Sequence, residues 1–251
     1  MPSVEHIFCH PIKGVGRMAL EAIRLEIGKT MLGDRLWAVT HEASKFDNSA
    51  PAWTPCNNFI RGAKAPMLQA IAVSQYVAGS DMVLTHPDHP PFRFNPEDAV
   101  QHGGFIEWLT QFVPENRAQP KALVAAPDRG MTDSPFPSIS ILNLASLAEL
   151  SAKAGTDMDP ARFRGNIWLD GVDAWEEFDW IGKTLRIGEA HVVIRERIGR
   201  CMATAVNPST GVQNVDTLKL LDASWGHKDF GVYGEVVKTG MVDRYDGAHV
   251  I

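Results

Sequence analysis

The chain has 251 residues, a formal net charge of −6 and 45% hydrophobic residues, which fits one large globular domain or two small ones. The acidic balance argues against a general nucleic-acid or anionic-membrane binder, since either needs a broad basic surface. No stretch approaches the roughly 20 apolar residues that span a bilayer. Met1 to His10 carry Glu5 and two histidines rather than a basic-then-apolar leader, so the expected setting is the cytoplasm.

In chain order, Ile23, Leu25 and Ile27 alternate with Arg24 and Glu26, predicting a half-buried strand that ends at Gly28. Further strands are expected at Leu36 to Thr40 and Leu68 to Val77. Asn95, Pro96, Glu97 and Asp98 form a helix-start pattern, with a break at Gly103-Gly104 and a second helical segment to Val113, closed by Pro114. The proline-rich run 114–137 is the expected domain boundary, dividing the chain into 1–117 and 118–251. Beyond it, a helix is predicted from Leu144 to Lys153, capped by Asn143 and ended by Gly155. Thr184–Ile187 and Ala190–Arg195 read as a hairpin through Gly188-Glu189. A short helix over 216–225 and strands at Phe230 to Lys238 and Val242 to Ile251 complete the chain. Clustered short strands with few helices, lacking regular βαβ alternation, predict a mainly β architecture, a β-barrel or an α+β fold, rather than a doubly wound sheet.

Three cysteines, Cys9, Cys56 and Cys201, are a poor disulfide framework and too few for a four-cysteine metal or iron–sulfur site. A redox activity would therefore draw electrons from another protein. Cys201 follows Arg195, Arg197 and Arg200, and nearby positive charge favours a thiolate, which is both nucleophile and metal ligand. A small buried core residue is the alternative, because free cysteine is often buried. Cys9 and Cys56 lack that basic setting and are assigned to the core.

Lys13, in His10-Pro11-Ile12-Lys13-Gly14, sits in a turn from which it can reach a phosphate or simply meet solvent. Arg35, before the Leu36–Thr40 strand, presents a fork for an anion or a partner for Asp34. Arg164 and Asn166 share one face of an extended segment and can hold an anion and an amide, or form a structural turn. Thr132-Asp133-Ser134 offers hydroxyl donors or a turn cap. His86 and His89 lack a third ligand at useful spacing and read as a loop. The glycine-rich dinucleotide motif, the P-loop, the GxSxG elbow and the HExxH zinc motif are all missing.

Taken together these segments resemble the MOSC family, named after the C-terminal domain of molybdenum cofactor sulfurase. His10-Pro11-Ile12-Lys13 and Asp34-Arg35-Leu36-Trp37 are similar to the β-rich domain that precedes MOSC domains. Phe163-Arg164-Gly165-Asn166, Trp175-Glu176-Glu177, Leu185-Arg186-Ile187-Gly188, Arg200-Cys201-Met202-Ala203-Thr204, Asn207-Pro208-Ser209-Thr210-Gly211 and Phe230-Gly231-Val232-Tyr233 are similar to the MOSC domain itself. Gly14 stands where the family has serine, leaving a backbone N–H as donor, and Gly165 stands where it has proline.

The resemblance, nearest to the amidoxime-reducing components, implies a molybdenum cofactor ligated by Cys201. It implies that Lys13, Gly14, Arg35, Thr132, Asp133, Ser134, Arg164, Asn166, Arg200 and Tyr233 hold the pterin and its phosphate. Pyridoxal phosphate binding enters only as a label attached to the family. The implied activity is an oxidoreductase that reduces N-hydroxylated or N-oxygenated small molecules. Its electrons would come from a separate donor of ferredoxin, flavodoxin or cytochrome type, with no nucleic acid or membrane partner. One alternative is a cofactor or sulfur carrier with a persulfide on Cys201. The other is a β-barrel binding module without the cofactor.

Overall fold

Strand outweighs helix, 35% to 22%, in the computed structural model, which describes residues 1–76, 79–126 and 129–251. The mainly β, α+β class expected from the sequence is what the chain adopts. β1 (Ser3–Cys9), β2 (Met18–Leu20), β3 (Ala22–Leu25) and β4 (Trp37–His41) come first. β5 (Ala72–Gln75), β6 (Met82–His86), β7 (His89–Phe94), α1 (His102–Thr110) and β8 (Pro120–Ala125) follow. The second half holds β9 (Ile139–Asn143), α2 (Leu144–Ala154), β10 (Ile167–Asp170), β11 (Thr184–Ile187) and β12 (Ala190–Gly199). It ends with α3 (Thr217–Trp225), β13 (Asp229–Lys238), β14 (Gly240–Asp243) and β15 (Ala248–Val250).

An eight-stranded sheet in the order β15-β11-β12-β13-β9-β10-β1-β2 carries the structure. β1 and β2 thus hydrogen-bond into the same sheet as the strands of the second half. β9 is buried along its whole length and runs parallel to β10, with α2 as the crossover. This single βαβ unit was not expected, because Ile139–Asn143 shows no alternation, as befits a strand covered on both faces. The expected barrel does not form a closed ladder among the described residues. The ends of the sheet are instead stitched by one isolated bridge, Ser3 to Gly247, with Val4 N–H donating to Asp246 O at 2.9 Å and Ala248 N–H to Pro2 O at 3.0 Å.

One core lies behind this sheet, where Val4, Ile7, Leu25, Ile141, Ile167, Val192 and Val232 meet. A second, built from the first half, gathers Ile12, Leu68, Leu84, Phe94, Phe105, Leu109 and Leu123 around α1 and β5-β6-β7. Leu142, Phe163, Trp168, Leu221 and Phe230 form a third under α2 and α3.

Several boundaries differ from expectation. The strand predicted to reach Gly28 ends at Leu25, because β14, its only partner among the described residues, begins at Gly240, and Ile27 is exposed. Leu68 falls in a 3-10 turn, Pro66–Ala70, ahead of β5, and Val77 lies outside the described residues, as does Pro127 of the proline-rich run. The helix expected at Asn95 starts later. The Asn95 side chain accepts from Glu97 N–H and its carbonyl from Asp98 N–H, Asp98 caps a 3-10 turn, and α1 then runs through Gly103-Gly104. Phe105 holds that helix in place by stacking on Phe94 at 4.4 Å. His86 and His89 are not in a loop but face each other across the β6–β7 hairpin. The run 242–251 divides into β14 and β15 around a turn in which Tyr245 takes a φ of 73°.

α2 matches its expected start and stop. Asn143 accepts from Ala145 N–H at 2.9 Å, and Gly155 ends the helix in the left-handed conformation. The same Asn143 donates to Asp173 O at 2.7 Å and to the buried Glu177 carboxylate at 2.9 Å. Replacing Asn143 by alanine removes the cap and leaves Glu177 short of a donor. A loss of about 2–4 kcal/mol is expected from a cap worth about 1 and an unsatisfied buried polar group worth about 1–3. Urea unfolding of Asn143→Ala measures it, and an unchanged midpoint would refute the cap.

Candidate functional site

The loop that leaves β1 turns back on itself at Pro11–Gly16 and is tied to β4. Lys13 N–H donates to Trp37 O at 2.7 Å, and Trp37 N–H donates to Pro11 O at 3.1 Å. That clamp drives the Lys13 side chain inward, where it is 4% exposed. Its ammonium donates to Met131 O at 2.6 Å and pairs with the half-exposed Asp133. Burial pushes the Lys13 pKa down, while Asp133 opposes the shift.

Arg35 is set by a buried triad. Asp34 accepts from His10 N–H at 2.8 Å, lies 3.2 Å from the His10 ring, and pairs with the Arg35 guanidinium. Burial works against the Asp34 charge, yet Arg35 and His10 outweigh it and hold the carboxyl well below its ordinary range. Burial, reinforced by Arg164, keeps His10 neutral, with a pKa of about 3. Arg35 donates onward to Arg164 O at 3.0 Å. Arg35 and Arg164 have φ values of 53° and 50°, a left-handed conformation that residues with a side chain enter at a cost and that concentrates at functional sites.

Arg164 reaches back across the chain, donating to Gly16 O at 2.9 Å and Ile12 O at 3.4 Å. Burial, then the neighbouring Arg35, lowers its pKa to about 9. Arg200 lies at the end of β12 and donates to Phe230 O at 2.8 Å and Phe163 O at 3.0 Å. Its guanidinium sits 5.5 Å from the centre of the Phe163 ring, which itself stacks on Phe230. Burial brings its pKa to about 10. Cys201 is exposed and begins the 3-10 turn Met202–Ala205. Thr204 fixes its backbone, donating from both N–H and hydroxyl to Cys201 O at 3.1 and 3.0 Å. Gln69, from the first half, braces the same turn through Ala203 O at 3.1 Å.

A cleft of about 420 Å³ joins these groups. Lys13, Gly14, Arg35, Asp133, Arg164, Arg200, Cys201 and Tyr233 all line it. Burial, then Asp133, raises the Tyr233 pKa, so its phenol stays protonated. Three expected site residues do not reach the cleft. Thr132 and Ser134 are each 2% exposed, and Ser134 is spent on Phe136 O and Ser138. Asn166 is equally buried and locks β9 to the loop before β10, accepting from Ser140 hydroxyl at 2.7 Å and donating to Phe8 O at 3.2 Å.

The cleft also holds residues not expected there: Cys56, Arg61, Gln69, Arg162, Glu196 and Arg197. Cys56 was assigned to the core for want of a basic neighbour, yet Arg61 Nη1 lies 3.0 Å from its sulfur. That pairing crosses five residues of irregular chain, which no periodicity signals. Glu196 and Arg197 were readable in principle, being close to Cys201 on β12. Seven cationic side chains line the cleft against two carboxylates among the described residues. Such an excess, partly shielded from water, suits an anionic ligand with fixed polar edges.

Of the two departures from the family pattern, Gly14 is required by its left-handed backbone and a neighbouring carbonyl, while a side chain at Gly165 would need Leu142 to shift. At Gly14 (φ 74°) a Cβ would lie 2.6 Å from Ile60 O and 3.0 Å from Arg61 Cα. At Gly165 it would lie 2.2 Å from a methyl of Leu142.

Residues 128–247 match the sequence model of the MOSC domain. The chain is similar to mitochondrial amidoxime-reducing component 1 of Danio rerio, 25% identical over 95% of this chain and 82% of that protein. Mitochondrial amidoxime reducing component 2 of Homo sapiens is 38% identical over 41% of this chain and 33% of its own length. Among solved structures, the YUAD protein from Bacillus subtilis aligns over 100% of this chain and 96% of its own at 11% identity and a TM-score of 0.49.

Two variants test this wiring. Gly14→Ser should destabilise the protein by about 1–3 kcal/mol, the usual cost of a strained left-handed position. A denaturation midpoint equal to the parent's would show that the loop accommodates a side chain. Asp34→Asn should cost about 3–5 kcal/mol at neutral pH, because it breaks a buried pair and strands Arg35. The Asp34 pKa is depressed by folding, so its stabilisation is present above the unfolded value near pH 4 and fades as pH falls below it. The variant's stability should therefore fall less steeply than the parent's on acidification, as followed by urea melts from neutral to acidic pH. Parallel curves would remove Asp34 from that role.

Proposed function

We propose, for a chain whose residues 128–247 match the sequence model of the MOSC domain, that the arginine-lined cleft holds a molybdenum cofactor. In this reading the protein is an oxidoreductase that reduces N-hydroxylated or N-oxygenated small molecules. One observation carries it: the exposed Cys201 thiol shares a cleft with Lys13, Arg35, Arg164 and Arg200, cations drawn from both ends of the sequence.

The residues fit the group. A pterin phosphate asks for fixed cations and polar donors, and guanidiniums whose charge burial disfavours are stabilised by an anion beside them. Lys13, Arg35, Arg164 and Arg200 would hold the phosphate and pterin, with the Gly14 N–H and the Tyr233 hydroxyl as neutral donors. The Cys201 thiolate would ligate the metal, a soft donor suited to a molybdenum centre. When bound, the cofactor supplies a two-electron centre for removing oxygen from nitrogen. Pyridoxal phosphate fits poorly, because Lys13, the one lysine among the described residues lining the cleft, is spent on Met131 O and Asp133.

The chain's own contribution is positional. Lys13 and the arginines fix the anionic end against backbone carbonyls, and Thr204 and Gln69 hold the Cys201 turn. Taking oxygen from an N–OH group consumes two electrons and two protons and releases water, so a donor protein of ferredoxin, flavodoxin or cytochrome type is required. The names of the relatives support this substrate class. No helix among the described residues is long and apolar enough to cross a membrane. Cytoplasmic placement is part of the proposal.

A sulfur-carrier role draws on a different observation, the second thiol, Cys56, in the same cleft. Metal content separates the two readings. Expressed in a host that makes the cofactor, the wild type should carry molybdenum and reduce a hydroxylamine or amidoxime with an artificial electron donor. Cys201→Ser should lose more than about a hundredfold in rate, since even groups one shell out from a metal are worth about ten- to a hundredfold. Pterin should partly persist in the variant, because the cationic contacts remain. A wild type free of molybdenum but bearing a stable Cys201 persulfide would replace this reading with the carrier.

A further inference from the structure

A second cavity, of about 210 Å³, shares Arg61 with the cleft. Its floor is apolar: Phe59, Ile60 and Val113 are each buried. Its rim is cationic: Arg61, Lys64 and Arg117 line it, and no carboxylate among the described residues does. Two tight turns bring those charges together, with Lys64 N–H donating to Arg61 O at 3.0 Å and Arg117 N–H to Pro114 O at 2.9 Å. Lys64 and Arg117 are exposed, and none of the three forms an ion pair among the described residues. On a chain with a net charge of −6, three unmatched cations around one apolar hollow are a local reversal of the overall field.

We propose that this cavity is a binding site for a small organic carboxylate with an apolar body, of the size of a single aromatic ring. The ring would displace water from Phe59, Ile60 and Val113, and the carboxylate would accept hydrogen bonds from the guanidinium and ammonium groups at the rim. The small volume favours a free small molecule over a peptide side chain carried by a folded partner. The proposal does not rest on the molybdenum reading, because Lys64 and Arg117, the two cations tested below, do not line the cleft. Arg61 is common to both, since the same side chain that walls this cavity also contacts the Cys56 sulfur.

Calorimetric titration of the full chain with benzoate, benzyl alcohol and inorganic sulfate tests the proposal. Benzoate should bind saturably at one site. Benzyl alcohol, which lacks the charge, and sulfate, which lacks the ring, should each bind about tenfold more weakly or worse, equivalent to about 1.4 kcal/mol. The double variant Lys64→Ala/Arg117→Ala changes only exposed side chains, so its melting temperature without ligand should match the parent's while benzoate affinity falls about tenfold or more. Failure of benzoate to saturate at millimolar concentration would overturn the proposal. So would a double variant that binds benzoate as the parent does, which would move the site to the cleft. Benzyl alcohol binding as tightly as benzoate would reduce the cavity to a greasy hollow. A glutamate-rich peptide binding more tightly than benzoate would make it a protein-docking surface instead.

Discussion

A guanidinium taken out of water must give its N–H groups to something, and the choice of acceptor decides what charge is left over. In this chain the cleft arginines give them mainly to backbone carbonyls. Arg164 donates to Gly16 O and Ile12 O, Arg200 to Phe230 O and Phe163 O, and Arg35 to Arg164 O. A carbonyl satisfies the geometry of a donor without cancelling its charge. The result is a rigid set of cations whose field stays open toward the cleft, and whose pKa values are lowered at Arg164 and Arg200 by burial. Had carboxylates taken those bonds, the fold would be as well satisfied and the cleft would attract nothing.

Asp34 is the exception that makes the arrangement affordable. It is fully withdrawn from solvent, so its charge is worth keeping only because Arg35 and His10 are already held against it. It orients one arginine from behind and leaves that arginine's other face for Arg164 O and the cleft. Asp133 plays the same part for Lys13, but from a half-exposed position. Cations from residues 13 and 35 therefore meet those from 164 and 200 over a frame in which β1 is paired directly with β10. The eight-stranded sheet is what brings the two ends of the sequence to one place.

This history explains what could be read in advance. Elements with chemical end signals were legible: α2 between Asn143 and Gly155, α3 between Asp216 and Gly226, and the turn at Gly188-Glu189. Elements fixed by a distant partner were not. β3 stops where β14 runs out, and the β6–β7 hairpin hides under a run of histidines and prolines. The cleft divides in the same way. Lys13, Arg35, Arg164, Arg200, Cys201 and Tyr233 were visible because the motifs around them are compact. Arg61 and Cys56 sit in irregular chain, and only the tertiary fold puts the guanidinium on the sulfur. Thr132, Ser134 and Asn166 show the converse: all three are buried and lie outside the cleft lining. Ser134 bonds within its own loop, to Phe136 O and Ser138, and Asn166 bonds to Ser140 on β9.

The two glycines in otherwise family-like motifs follow from the same frame. Loss of a serine hydroxyl at position 14 and of a proline ring at position 165 looks, in sequence alone, like a site loosening. The structure gives each a local cause. The Ile60 carbonyl occupies the space a side chain at 14 would need, and the Leu142 side chain occupies that at 165. Both intruding residues belong to segments that also shape the cleft: Ile60 precedes Arg61, and Leu142 lies in β9 beside Ser140 and Ile141. Rigidity that proline would have supplied at 165 comes instead from Asn166, whose hydrogen bonds to Ser140 and Phe8 hold the backbone directly after Arg164. The arginine is thus fixed by its surroundings rather than by the stiffness of its own loop, and its left-handed φ is the strain those surroundings impose.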